Sequence, residues 1–369
     1  MSRPGQTPPL VVVGLSGGVD SSVAAARLVR EGYRVVVVTM CIWDGSLPLA
    51  DEGRSACFGP GEARDIESAA SVATRLGIPH LRIPLAEEYR HEVLDYFRSE
   101  YLAGRTPNPC VRCNRVMKFG RLMDQVRAQG IEFDLYATGH YARVERDPRS
   151  GHMRLRRAAH AAKDQTYFLS GLTHEQLQIL TLPLGDLTKD QVRAEARALG
   201  WPDIADREES QDFIESRDHS VVFRAGESRP GSIRTREGLV LGEHRGIIHY
   251  TIGQRKGLGI GGEDEPYYVL RIDACRNELI VGRREELFGS RLIVEHPNWV
   301  DPAGMPEQPM RAEIKIRQQH APAPAVLRRL EDGRIEGVFD EPQMSIAPGQ
   351  TAVFYEGEYV LGGGSISAD

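Results

Sequence analysis

LVVVGLSGGVDSS, residues 10–22, is a short apolar run that breaks into a glycine–serine loop. Leu10 to Val13 reads as a strand buried on both faces, as in a parallel sheet. The VAAARLVREG that follows puts Ala25, Leu28 and Val29 on one helical face and ends at Gly32. YRVVVVTM is then a second buried strand. Strand, glycine loop, helix and strand open a doubly wound α/β sheet. Gly17 and Gly18 let the loop backbone turn sharply and come close to an anion. The helix behind them offers unpaired N–H groups and the positive end of its dipole. Ser16, Ser21 and Ser22 add hydroxyl donors, so the loop is a candidate cradle for phosphate or pyrophosphate. No lysine follows the glycines, which rules out the GxxxxGK[ST] loop, and the spacing is not GxGxxG. The plainer alternative is a Gly/Ser turn that caps a helix.

The chain has 369 residues, 41% of them hydrophobic, enough for two or three domains with sizeable cores. The pattern continues with a helix over ARDIESAASVATRLG, a strand at HLRIPL and a long amphipathic helix over AEEYRHEVLDYFRSEYLAG. NRVMKFGRLMDQVRAQG is a further helix for which Asn114 is the expected N-cap. FDLYATGHYARV runs from a strand into Gly139 and His140, and ligands gather at such strand ends. A β-hairpin is expected to turn at Asp147–Gly151. The α/β pattern fades near Ser210, a Gly/Arg-rich piece follows, and from about residue 286 short strand-like runs point to a small barrel. The expected organisation is an α/β domain over 1–215, a small central domain over 216–285 and a C-terminal β-barrel over 286–369.

The net charge of −6 gives no global signal for nucleic acid, so a polyanion would be held by local patches. Candidate patches are Arg112/Arg115/Lys118/Arg121, Arg154/Arg156/Arg157/Lys163, Arg255/Lys256 and Arg311/Lys315/Arg317. The N-terminus lacks a secretory pattern and no run of eighteen apolar residues occurs, so a cytoplasmic protein without a membrane partner is expected. Five scattered cysteines, Cys41, Cys57, Cys110, Cys113 and Cys275, argue against a disulfide framework. Two of them lie in TPNPCVRCNR, residues 106–115, a proline-framed CxxC with no second CxxC to complete a zinc site. A structural zinc half-site, a redox pair, an iron–sulfur anchor and a sulfur-handling active site all stay open on the residues alone.

SGGVDSS resembles the PP-loop of the ATP pyrophosphatases, which cleave ATP between the α and β phosphates and adenylate a carbonyl oxygen. GLSGGVDSS, AGRTPNPCVRCNRVMKFG, ATGHYARV, KDQTYFL, GEHRGIIHYTIGQRKGLGIGG and GQTAVFYEGEYVLGGG together, in that order, resemble the tRNA-specific 2-thiouridylases over nearly the whole chain. The resemblance implies activation of the C2 carbonyl of a wobble uridine by ATP with Mg²⁺, then displacement of AMP by sulfur. It implies that Gly14, Leu15, Ser16, Gly17, Gly18, Val19, Asp20, Ser21 and Met40 touch ATP and that Gly139 lies near the adenosine. Asn108, Pro109 and Cys110 fall in the segment that meets the target base. His140, Lys163, Asp164, Gln165, Arg317, Gln318 and Gln350 match positions of tRNA contact, and Cys113 matches the nucleophile. The implied partners are a tRNA with a wobble uridine and a sulfur donor such as a cysteine desulfurase or relay protein.

The chain departs from the family pattern in two places. Cys110 stands where the better-known form has an aspartate. The downstream stretch that carries a second catalytic cysteine there is here Glu209 to Glu215, without cysteine. The sulfur chemistry therefore falls to Cys57, Cys110 and Cys113. By analogy with other thiolating PP-loop enzymes these three are expected to converge and to be able to hold a [4Fe–4S] cluster. A persulfide–disulfide cycle on Cys110 and Cys113 is the alternative. Arg112, Arg115 and the helix start are expected to lower the thiol pKa. Two rivals are another PP-loop adenylating enzyme and a non-catalytic, tRNA-binding iron–sulfur scaffold.

Overall fold

The computed structural model describes residues 7–51, 53, 56–207, 212–216, 218–260 and 265–368. Its first sheet is built from β1 (Leu10–Gly14), β2 (Arg34–Cys41), β3 (His80–Pro84), β4 (Leu135–Ala137) and β5 (Leu180–Thr181). They are all parallel, in the order β3-β2-β1-β4-β5. Val11 and Val13 pack into the core on one face of β1 and Val12 into the core on the other. A strand covered on both sides needs a continuous apolar run, which is what the sequence has. Helix α1 (Val19–Arg30) follows β1, and α2 (Glu62–Leu76) ends at Gly77 with φ +66, a left-handed cap that suits glycine. The chain leaves β1 toward β2 on one side and returns to β4 on the other. The reversal opens a crevice above the carboxyl ends of β1 and β4.

The cysteine-bearing helix begins earlier than expected. Asn108, not Asn114, is its N-cap, accepting from Val111 N–H at 3.1 Å. Pro109 takes the first helical position, where its fixed φ fits and its missing N–H is not needed. Asn114 is instead buried inside the helix and donates to the Phe168 carbonyl at 3.2 Å. From Cys113 to Arg121 the winding is π-helical, and Leu122 N–H closes back on Met117 C=O, five residues earlier. The chain resumes an α-helix over Leu122–Ala128.

The central piece is a four-stranded sheet of Val240–His244, Gly231–Thr235, Glu278–Gly282 and Tyr268–Asp273, in that spatial order. Six antiparallel strands between Phe288 and Ile366 close into a barrel through pairing of Val294 with Ile366. Ile314, Leu327 and Phe354 fill it. The expected hairpin forms from Arg143–Arg146 and Met153–Arg156, and it extends the barrel sheet by pairing Tyr359 with Arg156. Arg154 sits 3.5 Å over the Tyr359 ring, Arg156 is paired with Glu358 and Glu145, and Arg157 lies over Tyr355 at 4.2 Å. This cluster, expected as a patch for phosphates, joins the α/β unit to the barrel. Arg112 is likewise paired with Glu92, at 2.6 Å, and Arg311 with Asp340, at 2.6 Å.

Candidate active site

The loop after β1 is held in shape by its own hydroxyls and by two neighbours. Ser16 N–H donates to Ser21 Oγ at 3.1 Å, and Ser22 Oγ donates to Gly18 C=O at 2.8 Å. Gly17, at φ +78, presses against α2, where a Cβ would fall 2.3 Å from the Asp65 carbonyl. Its own carbonyl accepts from Ser68 Oγ at 2.8 Å and from Arg207 at 3.1 Å. The N-terminus of α1 has no side-chain cap, which leaves its first donors for an anion. Asp20 is gripped by Lys189 through both oxygens at 2.8 Å and by the Tyr141 hydroxyl at 2.7 Å.

The loop after β4 closes the crevice from the other side. Gly139 lies so near the start of α1 that a Cβ would stand 2.5 Å from Ser21 N. His140 follows, with Nδ1 at 2.8 Å from Thr138 Oγ1. Burial, reinforced by the Lys118 ammonium, drives its pKa down to about 3, so the imidazole is neutral and acts as a hydrogen-bonding group.

A cavity of about 300 Å³ lies between these parts. Its walls include Gly14, Ser16, Gly18, Asp20, Ser21, Met40, Gly139, His140 and Gln165, together with Cys57 and Cys113. Expected nucleotide residues and two expected sulfur residues thus share one chamber. Lys118, Lys189 and Arg207 also line it. In the sequence Lys118 stands only as part of a candidate basic patch, and Lys189 and Arg207 carry no motif. Their places depend on the π-winding and on long-range packing.

The thiols differ from expectation. Burial pushes Cys113 up to about 11, opposed by Lys118 and helped by Cys57. Burial and Cys57 push Cys110 up to about 12, again opposed by Lys118. Arg112 faces Glu92 instead, and Arg115 is on the exposed side of the helix. The expected lowering by these arginines is therefore absent, and desolvation of the thiolates dominates. Cys57, Cys110 and Cys113 are near enough to repel one another as anions and to act together on the buried Tyr89 hydroxyl. Even so, among the described residues no three His, Cys, Asp or Glu side chains are grouped to hold a metal. The sulfurs as placed do not fit a cluster. Cys57 lies on the strand Ala56–Phe58, which pairs in parallel with Asp212–Ile214. Glu209, Ser210 and Gln211 of the cysteine-free segment lie outside the described residues; Asp212 to Glu215 runs directly beside Cys57.

Of the expected tRNA-contact residues, His140 and Gln165 line the chamber itself. Asp164 is buried and accepts from Ala158 N–H at 3.0 Å and Thr166 Oγ1 at 2.7 Å. Gln318 from the barrel donates to Asp164 C=O at 3.1 Å, and Gln165 accepts from Tyr141 N–H at 2.8 Å. Gln350 donates to the carbonyls of Thr106, at 3.0 Å, and Pro107, at 3.3 Å. Lys163 ends a short 3₁₀ turn over Ala161–Lys163, and Arg317 lies in the barrel loop that carries Gln318. Among the described residues no helix is long and apolar enough to cross a membrane.

Three family profiles match in succession: a tRNA methyl transferase HUP domain over residues 10–215, a tRNA methyl transferase PRC-barrel domain over 219–283 and an aminomethyltransferase beta-barrel domain over 290–366. The chain is 42% identical over 362 residues to the tRNA-specific 2-thiouridylase MnmA of Acetivibrio thermocellus, covering 96% of this chain and 98% of that protein. It is 46% identical over 363 residues to the protein of the same name from Geotalea uraniireducens, covering 96% and 94%. A 4-thiouridine synthetase solved with RNA and ATP shares 17% identity at a TM-score of 0.35, covering 55% of this chain and 44% of that one, a likeness too slight to argue from. On the strength of the full-length relatives and the consecutive profile matches, the chain belongs to the tRNA-specific 2-thiouridylase MnmA family.

Proposed function

We propose that this chain is an ATP-dependent tRNA-uridine 2-sulfurtransferase that converts a wobble uridine to 2-thiouridine. The observation that carries this reading is the shared chamber: the phosphate-binding loop and Cys113 line one cavity. A uracil carbonyl is a weak electrophile with a poor leaving group. Adenylation of its oxygen corrects both faults, and the attacking sulfur must then wait within reach of the adenylate.

In this reading Gly14 to Ser21 hold the phosphates, Met40 and Gly139 bound the adenosine, and Asn108, Pro109 and Cys110 meet the base. His140, Lys163, Asp164, Gln165, Arg317, Gln318 and Gln350 face the tRNA. Mg²⁺ would enter with the phosphates and neutralise their charge. Asp20, a hard oxygen donor at the loop, is the residue that would hold it. The base has to leave the anticodon stack to enter so narrow a chamber. The protein works in the cytoplasm as three units, 1–215, 216–285 and 286–369, supplied by a cysteine desulfurase or relay protein.

The sulfur route we favour is a persulfide on Cys113. Its terminal sulfur attacks C2, a C–S bond forms, and the C–O bond breaks with its electron pair leaving on AMP. A second thiolate then attacks Cys113 Sγ. The S–S bond breaks, its electrons stay on the sulfur now bound to C2, and two cysteines end as a disulfide. A dithiol reductant reopens it: its two sulfurs end as a disulfide and its two protons end on the regenerated cysteine thiols. Cys57 suits the second thiol because it lines the cavity and lies beside the segment that lacks the family's downstream cysteine. Cys110, three residues from Cys113, is the other candidate. A [4Fe–4S] cluster on Cys57, Cys110 and Cys113 would require the three sulfurs to rearrange, and iron with acid-labile sulfide in anaerobically purified protein is the measurement for it.

The test is a reaction of reduced protein with ATP, Mg²⁺, a persulfide-loaded cysteine desulfurase and tRNA. Pyrophosphate, AMP and 2-thiouridine should appear together and only with tRNA. AMP formed without tRNA would instead mark another adenylating enzyme, and no pyrophosphate at all would mark a scaffold.

A further inference from the structure

Lys118 is a cation in an unusual setting. It is half-buried, lines the cavity, and has no carboxylate ion-pair partner among the described residues. Its ionisable neighbours are Cys113, Cys57, Cys110 and the neutral His140; once sulfur there is anionic, that charge more than offsets the downward pull of burial and favours its ammonium form. A buried charge ordinarily has a counter-ion. Here the groups placed to serve are sulfurs.

The helix winding creates this arrangement. Cys113 and Lys118 are five residues apart. On an α-helix, at 3.6 residues per turn, such positions point about 140° apart. Both lie in the π-helical segment Cys113–Arg121, whose hydrogen bonds span five residues, and this wider turn brings both onto the face that lines the cavity. Lys189 and Arg207 serve the other end of the chamber, the first on Asp20 and the second on the Gly17 carbonyl.

We propose that Lys118 is a catalytic residue of the sulfur-transfer half-reaction, its ammonium pairing with the anionic sulfur on Cys113 and holding it toward C2 of the adenylated uridine. The inference rests on the sulfurtransferase reading above. A persulfide is a stronger acid than its parent thiol. The buried thiols stay protonated and inert, and an anion appears beside Lys118 only after sulfur has been loaded. The C–S bond forms and the C–O bond to AMP breaks as described, with Lys118 keeping its proton throughout.

The test separates the two half-reactions in single turnovers of full-length protein preloaded with sulfur by a cysteine desulfurase. In Lys118→Met, tRNA-dependent pyrophosphate release should persist within about threefold. AMP release and 2-thiouridine should fall by roughly 100-fold, the scale of losing one preorganised charge at a reacting centre. Adenylated tRNA should accumulate. Lys118→Arg, which keeps the charge, should recover at least a tenth of the wild-type rate. Equal thiolation by Lys118→Met and wild type overturns the inference, as does a parallel fall in pyrophosphate release. Should Lys118→Met not fold by circular dichroism, Lys118→Gln and Lys118→Arg are compared, and equal rates overturn it. Wild type that makes no 2-thiouridine overturns the sulfurtransferase reading itself.

Discussion

At Cys113 the side chain has conflicting surroundings: burial resists its ionisation while Lys118 favours it. Cys113→Ser should abolish 2-thiouridine formation yet leave tRNA binding within a few fold, measured by filter binding beside the thiolation assay. Normal thiolation would remove Cys113 as the sulfur carrier. Cys57→Ser should trap loaded enzyme after one partial turnover, whereas Cys110→Ser should not. The reverse result, read by thiol titration after a single turnover, would make Cys110 the second thiol. His140 gives a pH statement. Its folded pKa, about 3, lies below the ordinary value of 6.5, so the unfolded chain binds the proton more readily. This group's contribution to stability is complete above about pH 6.5 and is lost as pH falls toward 3. Urea unfolding of His140→Asn should therefore lose less stability than wild type between pH 7.5 and 5; identical losses would count against a buried neutral imidazole. The turn at the loop glycines was legible because its backbone chemistry is local. The raised thiol pKa was not, because the arginines beside Cys113 in sequence point away from it in space, Arg112 toward Glu92.

The elements repeat that division. The strand–loop–helix at residues 10–30 was legible because a buried parallel strand leaves a continuous apolar run and the loop glycines interrupt it. The start of the cysteine helix was misread. Asn114 looked like a cap because the apolar period begins after it, but Pro109 at the first helical position and Asn108 before it set the true start. The π-winding could not be read from an apolar pattern of period 3.6. Cap chemistry at Asn108 leads to a direct test. Asn108→Ala removes the acceptor of Val111 N–H and should cost about 1 kcal/mol of stability. It should also loosen the first turn, which carries Cys110, so thiolation should fall more than stability alone would explain. Asn108→Asp keeps an acceptor at the same place and should restore stability. Thermal unfolding of the three proteins, compared with their thiolation rates, checks this. An alanine variant with unchanged stability would show that the observed bond does not cap the helix.

Across the whole molecule, one turn of the barrel reaches back to the loop ahead of the two cysteines. Thr106 N–H donates to Pro348 C=O at 2.8 Å, and the Gln350 amide donates to the carbonyls of Thr106 and Pro107. Gly349, at φ +85, allows the approach, since a Cβ there would stand 2.9 Å from Thr106 N. Residues more than 240 apart in sequence therefore fix the entry to the cysteine helix, ahead of Asn108 and Cys110. The resemblance implies tRNA contact for Gln350, and its engagement in the free protein leads to a prediction: in the proposed sulfurtransferase, Gln350 also holds the loop that leads to Cys110 and Cys113. Gln350→Glu replaces two N–H donors by a carboxylate facing two carbonyl oxygens, so the contact should become repulsive. In the tRNA-free protein, amide exchange over residues 103–113 should quicken, and thiolation should drop at least tenfold while ATP binding holds. Gln350→Ala should fall between, since the Thr106–Pro348 bond survives it. A residue that only touched tRNA would leave exchange in the free protein unchanged. Equal exchange in wild type and Gln350→Glu would therefore confine Gln350 to the tRNA and leave the cysteine helix to be positioned by the α/β unit alone.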